Sequence, residues 1–166
     1  MCKQDIKKPT LVVSAFPASG KTYVYNNQKN LELTCLDIDS CDFSWLKGRK
    51  GINTKLRNPD FPKNYIDYIK HNLGTVDIIF VSSHQNVVTA LATEGIQYVS
   101  IVPCKELLNE WVGRLYTRGT ESLIPTVIDN WDSFTDVPKT CTLLEEIQLG
   151  SNMYIVDVLP KLLTYL

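Results

Sequence analysis

One stretch limits the fold of this chain more than any other. It is Ala15-Phe16-Pro17-Ala18-Ser19-Gly20-Lys21-Thr22, set between the apolar run Leu11-Val12-Val13 and Tyr23-Val24-Tyr25. Read as strand, loop and helix, it follows the phosphate-binding pattern G-x-x-x-x-G-K-[ST], with Ala15 in place of the first glycine. The pattern has a physical basis. Successive loop amides form a concave anion nest, and the following helix turns its positive end to the same phosphates. Ala15, Pro17, Ala18 and Ser19 supply main chain, and Gly20 permits the tight approach. Lys21 supplies a point charge for β- and γ-phosphates, and the Thr22 hydroxyl is a ready Mg²⁺ ligand. The competing reading is a strand–turn–helix junction with a chance G-K-T ending.

At 166 residues the chain suits one domain. No apolar run approaches the ~18 residues that span a bilayer, which argues against a membrane protein. The polar start, Met1-Cys2-Lys3-Gln4-Asp5, lacks the apolar core of a signal peptide. Five cysteines, Cys2, Cys35, Cys41, Cys104 and Cys141, form no C-x-x-C pair. With only His71 and His84 besides, they read as reduced thiols of a cytoplasmic protein rather than a zinc site. A formal net charge of −1 gives no global drive toward nucleic acid, so any basic site is local.

Strand and helix signals then alternate. Strands are expected at residues 11–14, 33–36, 77–81 and 98–102, with a last one at 145–149. Helices are expected at 22–30, around Tyr65-Ile66-Ile69-Leu73, around Val87-Val88-Leu91-Ala92, and around Leu107-Leu108-Trp111-Val112-Leu115. A further stripe, Leu123-Ile124-Val127-Ile128-Trp131, tolerates Pro125 only in its first turn. Residues 41–60 and 132–142 read as loops. Asn152 is a candidate cap for a final helix that Pro160 would bend or end. This alternation implies an α/β fold, a parallel sheet with helices on both faces. Ligands of such sheets bind at the carboxyl ends of the strands.

At that edge stand the other candidate site residues. Asp37 and Asp39 follow the second strand two residues apart, so both side chains point one way if strand geometry persists. They can hold Mg²⁺ through water, orient an acceptor, or take a proton; otherwise D-x-D is a turn with a helix cap. Ser82-Ser83-His84 ends the most apolar strand, where an acid that binds Mg²⁺ is common and none stands. Ser82 is a substitute hydrogen bonder to the metal's water shell, and His84 a candidate substrate contact or helix start. Arg114 and Arg118, at i and i+4, are candidate clamps on a transferring phosphoryl group. The plainer reading pairs Arg114 with Glu110. Lys47, Arg49, Lys50, Lys55 and Arg57, with no acid among them, form either a solvated loop or an acceptor-phosphate site. Tyr65, Tyr68, Phe43, Trp45 and Phe61 are candidate stacking faces, more often core.

Residues 15–22, Asp37-Ile38-Asp39-Ser40, Phe61-Pro62-Lys63-Asn64-Tyr65, Ile79-Phe80-Val81-Ser82-Ser83-His84 and the Arg114/Arg118 helix together resemble the P-loop kinases of the adenylate-kinase-like, nucleoside monophosphate kinase group. The likeness extends to small nucleotide-kinase-like proteins of phages and bacteria. It implies a P-loop NTPase three-layer sandwich, a five-stranded parallel sheet of order 2-3-1-4-5, filling one domain. Residues 41–73 would bind the acceptor and 114–120 form a short lid. It implies ATP and Mg²⁺ as cofactors, with Thr22 and Asp37 at the metal. The expected activity is γ-phosphoryl transfer to a (deoxy)nucleoside monophosphate, with Asp39, Arg49, Lys50, Arg57 and His84 toward the acceptor. The D-x-D pulls instead toward a hydroxyl acceptor, including a nucleic-acid end, with Asp39 as base. The missing acid after Val81 leaves open a nucleotide-binding protein without turnover. Oligomeric state is not legible.

Overall fold

The apolar runs become a sheet. A computed structural model describes residues 8–166, so Cys2 and the polar start lie outside the described residues. In chain order the elements are β1 (Leu11–Ala15), α1 (Lys21–Asn26), β2 (Cys35–Asp37), α2 (Cys41–Ser44), β3 (Trp45–Lys47) and β4 (Asn53–Arg57). Then come α3 (Lys63–Asn72), β5 (Ile78–Ser82), α4 (Gln85–Thr93), β6 (Tyr98–Pro103) and α5 (Leu108–Thr117). The last are α6 (Ile124–Asp129), α7 (Trp131–Thr135), β7 (Leu143–Leu149) and α8 (Ile155–Leu162).

Five strands pair in the order β2-β5-β1-β6-β7, all parallel. Counted among themselves these are 2-3-1-4-5, the expected order. β1, β5 and β6 are covered on both faces, which is why their sequences run apolar without alternation. Strand alternation divides the core. Leu11, Val13, Phe80, Val99 and Ile101 face α1, α5 and α8, where Val24, Trp111, Leu115 and Ile155 meet them. Val12, Ile79, Val81 and Tyr98 face α3 and α4, against Tyr65, Ile69, Val87 and Leu91. The P-loop leaves β1 at the middle of this sheet.

Several boundaries differ from expectation. The helix after the P-loop stops at Asn26, because Asn26-Asn27 are weak helix formers and the chain turns back through Gln28, whose side-chain oxygen accepts the Cys35 amide. Residues 41–60 are not one loop: α2 and an antiparallel β3–β4 hairpin lie within them. Dense charge hid the hairpin's alternation, and Lys50 and Gly51, both at positive φ, make its turn. The 123–131 stripe breaks into α6 and α7, and α7 runs on through residues 132–135, where a loop was expected. Tyr154, not Asn152, caps α8: its amide donates to Asp157 at 2.7 Å. Pro160 sits inside α8 without ending it.

Candidate active site

The loop after β1 is held open from outside. Phe16 O accepts the Ser19 hydroxyl at 2.6 Å, Pro17 O accepts the Trp111 indole N–H at 2.9 Å, and Ser19 O accepts the Ile155 amide at 2.9 Å. With its carbonyls tied to α5, α8 and itself, the loop turns its amides inward. Among the described residues, the amides of Ala18, Ser19, Gly20, Lys21 and Thr22 donate to no protein acceptor, which is the nest that anions need. The left-handed positions are Ala18 (φ 59°) and Gly20 (φ 102°). Ala15 has no such need. It is the last residue of β1, in register with Ser82 and Ile101, so the missing first glycine leaves the loop intact.

Lys21 folds back on the loop, its Nζ donating to Ala15 O at 3.0 Å and Phe16 O at 3.4 Å. Burial pushes its pKa down to about 8; Asp37 opposes that, Arg118 adds to it, and Asp39 opposes it more weakly. Lys21, Asp37, Asp39 and Arg118 thus share one electrostatic neighbourhood. The Thr22 hydroxyl donates to Asp37 Oδ2 at 2.7 Å. Asp37, the last residue of β2, is carried there by its register with Phe80.

Asp39 is exposed, and its Oδ1 accepts the Cys41 amide at 2.9 Å, so the D-x-D is both a turn and a free carboxylate oxygen. Beside it, Ser82 Oγ accepts the Ser40 amide at 3.2 Å and donates to Ser40 Oγ at 2.9 Å. Ser82 therefore shapes the D-x-D loop. Tyr65 does the same from below. Its hydroxyl donates to Ile38 O at 2.7 Å and accepts the Ser82 amide at 3.2 Å. Fully buried, it is no stacking face. Phe43 and Phe61 pack against it, and Tyr68 against Phe43.

His84 precedes α4, the bland reading of its position. Desolvation holds its pKa below the ordinary value; Asp39 pulls the other way, and Arg57 and Lys21 reinforce the drop. His84 is therefore within electrostatic reach of Asp39, Arg57 and Lys21. Arg57 lies 4.0 Å over the Trp45 ring and forms no ion pair among the described residues. Arg49 and Lys50 do not join this group: they sit exposed at the hairpin turn. Lys47 is tied to Asp42 and Asn53.

The two arginines of α5 part company. The Arg114 side chain is 8% exposed, paired with Glu110, donating to Met153 O at 2.9 Å, and sandwiched at 4.0 Å between the Trp111 and Tyr154 rings. Glu110 also accepts the Ser151 hydroxyl and the Asn152 amide. That guanidinium is committed to the loop before α8, which argues against Arg114 as a phosphoryl clamp. Arg118 is exposed, follows α5 and forms no ion pair among the described residues.

No group of three or more His, Cys, Asp or Glu among the described residues could cage a metal. Thr22 Oγ1 and Asp37 Oδ2 still fit magnesium, which keeps most of its waters and takes one or two protein oxygens beside phosphates.

A phosphate nest on the central strand of a 2-3-1-4-5 parallel sheet defines the class: a P-loop α/β fold of the kinase type. The chain matches the crystal structure of a gluconokinase from Sinorhizobium meliloti 1021, with a TM-score of 0.51 and 15% identity, over 96% of this chain and 91% of that one. At that identity the likeness is one of fold. No protein-family model matches the chain, and neither does any curated protein.

Proposed function

We propose that the chain is an ATP-dependent phosphotransferase that moves the γ-phosphoryl group to a hydroxyl of a small acceptor. The observation that carries this reading is the division of labour between the two aspartates. Asp37 is engaged with Thr22 on the donor side, while Asp39, two residues on, keeps an oxygen free beside Arg57 and His84. The neighbour's name, gluconokinase, is that of a small-molecule kinase and supports the same class.

In this mechanism the loop amides and Lys21 bind the β- and γ-phosphates, Lys21 leaving its two carbonyl contacts to do so. Thr22 and Asp37 would hold magnesium, which neutralises charge on the phosphate oxygens. Asp39 takes the proton from the acceptor hydroxyl as that oxygen bonds to the γ-phosphorus. The bond from phosphorus to the β–γ bridging oxygen breaks, and ADP leaves with the electron pair. Arg118, at the exposed end of α5, offsets charge on the transferring group. His84, at the start of α4, orients the acceptor.

A second reading, transfer to a (deoxy)nucleoside monophosphate, is favoured by Arg57, a free guanidinium beside the site and suited to an acceptor phosphate. A phosphoryl-acceptor screen separates the two. ADP release with sugars, sugar acids or nucleosides, severely cut by Asp39→Asn, supports the first reading. Release only with monophosphates, with Asp39→Asn mild, supports the second. Tight ATP binding with no turnover on any acceptor would leave a nucleotide-binding protein and refute both.

A further inference from the structure

Two surface segments of opposite charge are left without partners. The first is the β3–β4 hairpin. Between Asp42 and Asp60 the chain carries Lys47, Arg49, Lys50, Lys55 and Arg57 and no acid. Lys47 is held by Asp42 and Asn53, and Arg57 lies over Trp45 at the site end. Arg49, Lys50 and Lys55, toward the turn, are exposed and form no ion pair among the described residues. The second segment lies between Arg118 and Lys139, where no cation stands. Its acids, Glu121, Asp129, Asp132 and Asp136, are all exposed and likewise form no ion pair among the described residues.

Both segments also hold apolar side chains in water. On the hairpin Ile52 is 67% exposed and Leu56 65%; on the acidic segment Ile128 and Phe134 are exposed. The hairpin is a sheet of its own, apart from the five-stranded one. A lone two-stranded ribbon is marginal in water and gains from a cover. The acidic segment has the shape to receive it. Ile128, Asp129 and Asp132 line one groove, Phe134 and Asp136 line the next, and Ser133 borders both. Carboxylates and apolar groups thus share one trough along α6 and α7.

Charge selects the occupant. Hairpin against hairpin, or trough against trough, would set like charges together, which disfavours a two-fold contact of either segment with itself. Hairpin against trough sets Arg49, Lys50 and Lys55 opposite Asp129, Asp132 and Asp136 and covers the apolar groups of both. No ion pair joins the two segments within one copy. We propose that the hairpin of one copy docks on the α6–α7 trough of a second copy of this chain, a head-to-tail contact. Each pair so formed keeps one hairpin and one trough open, so association runs past the dimer or closes into a ring. Both patches are small, so the contact is weak and depends on concentration. It does not rest on the kinase reading.

Sedimentation of the full chain at low salt, from about 5 to about 500 μM, should show a mean mass that rises with concentration. Salt at about 0.5 M should reverse the rise. Lys50→Glu with Lys55→Glu inverts the hairpin, and Asp129→Lys with Asp132→Lys inverts the trough. Each pair of substitutions should weaken association by about tenfold or more. All four in one chain restore opposite signs and should regain association, which a merely damaged surface would not; circular dichroism checks that each variant is folded. A wild-type chain that stays monomeric throughout, as it would if the hairpin closed on its own trough, overturns the proposal. So does a monomer whose hairpin instead captures a labelled single-stranded oligonucleotide. Association that survives either inversion, or that a folded four-residue variant fails to regain, overturns it too.

Discussion

Lys21 offers the sharpest test, because its surroundings carry a proton signature. Its Nζ lies against Ala15 O and Phe16 O, and burial lowers its pKa from 10.5 to about 8. Phosphate beside Nζ favours the charged form and lifts the pKa back up. Nucleotide binding should therefore take up about half a proton at pH 8 and about 0.9 at pH 9. Affinity should hold below pH 8 and fall above it, by up to about tenfold per pH unit. Calorimetry with ADP in two buffers of different ionisation enthalpy reads the uptake directly. Lys21→Met should abolish it and weaken binding.

The same shift has a stability sign. The unfolded chain holds Lys21 at its ordinary value, so between about pH 8 and 10.5 it binds more protons than the fold. Stability therefore rises with pH through that window, and the burial cost below it is of order 3 kcal/mol. Lys21→Met should thus raise the melting temperature at pH 7 while removing nucleotide binding. Heat of binding independent of buffer from pH 7.5 to 9, together with an unchanged melt for Lys21→Met, would refute the reasoning.

Other expectations follow from single contacts. Asp37→Asn removes a charge that raises the Lys21 pKa, so the midpoint of proton uptake should move down, and the Mg²⁺ requirement for turnover should rise. Arg114→Ala should cost about 2–3 kcal/mol in urea melts, since it removes the bond to Met153 O and the packing between the Trp111 and Tyr154 rings and so frees the loop before α8. Arg118→Ala should leave the melt unchanged and lower turnover; the reverse pattern would invert the roles given to the two arginines. Tyr65→Phe should cost about 1–3 kcal/mol by leaving Ile38 O and the Ser82 amide unpaired in the interior, read from the same melts.

The strands of the sheet were legible because buried parallel strands announce themselves: Ile78 to Val81 are wholly buried, and their sequence is apolar throughout, while the strand order came from the family resemblance. Asp37 was legible because a strand end and a P-loop threonine are both local signals, and the register of β2 on β5 joins them. Where a residue's fate depended on partners far along the chain, sequence was silent. Nothing local to Trp111 says that its indole N–H meets Pro17 O, nor that Tyr154 stacks on Arg114. The spacing of Arg114 and Arg118 showed a shared helix face but not that Met153 O would take one of them. The hairpin was hidden because its two strands, Trp45–Lys47 and Asn53–Arg57, are short and mostly exposed, so burial imposes little alternation.

The bond from the Ile155 amide to Ser19 O has a consequence for when the site comes into being. Contacts between residues far apart in sequence close late, after loop entropy has been overcome. The nest is written early in the chain, yet one of its struts is the first residue of α8. A nascent chain that has emerged only through β7 would carry the whole motif and still hold nucleotide poorly. Phosphate affinity is in this sense a reporter of completed folding: it should appear with docking of α8, as the last helix closes over a loop made long before it.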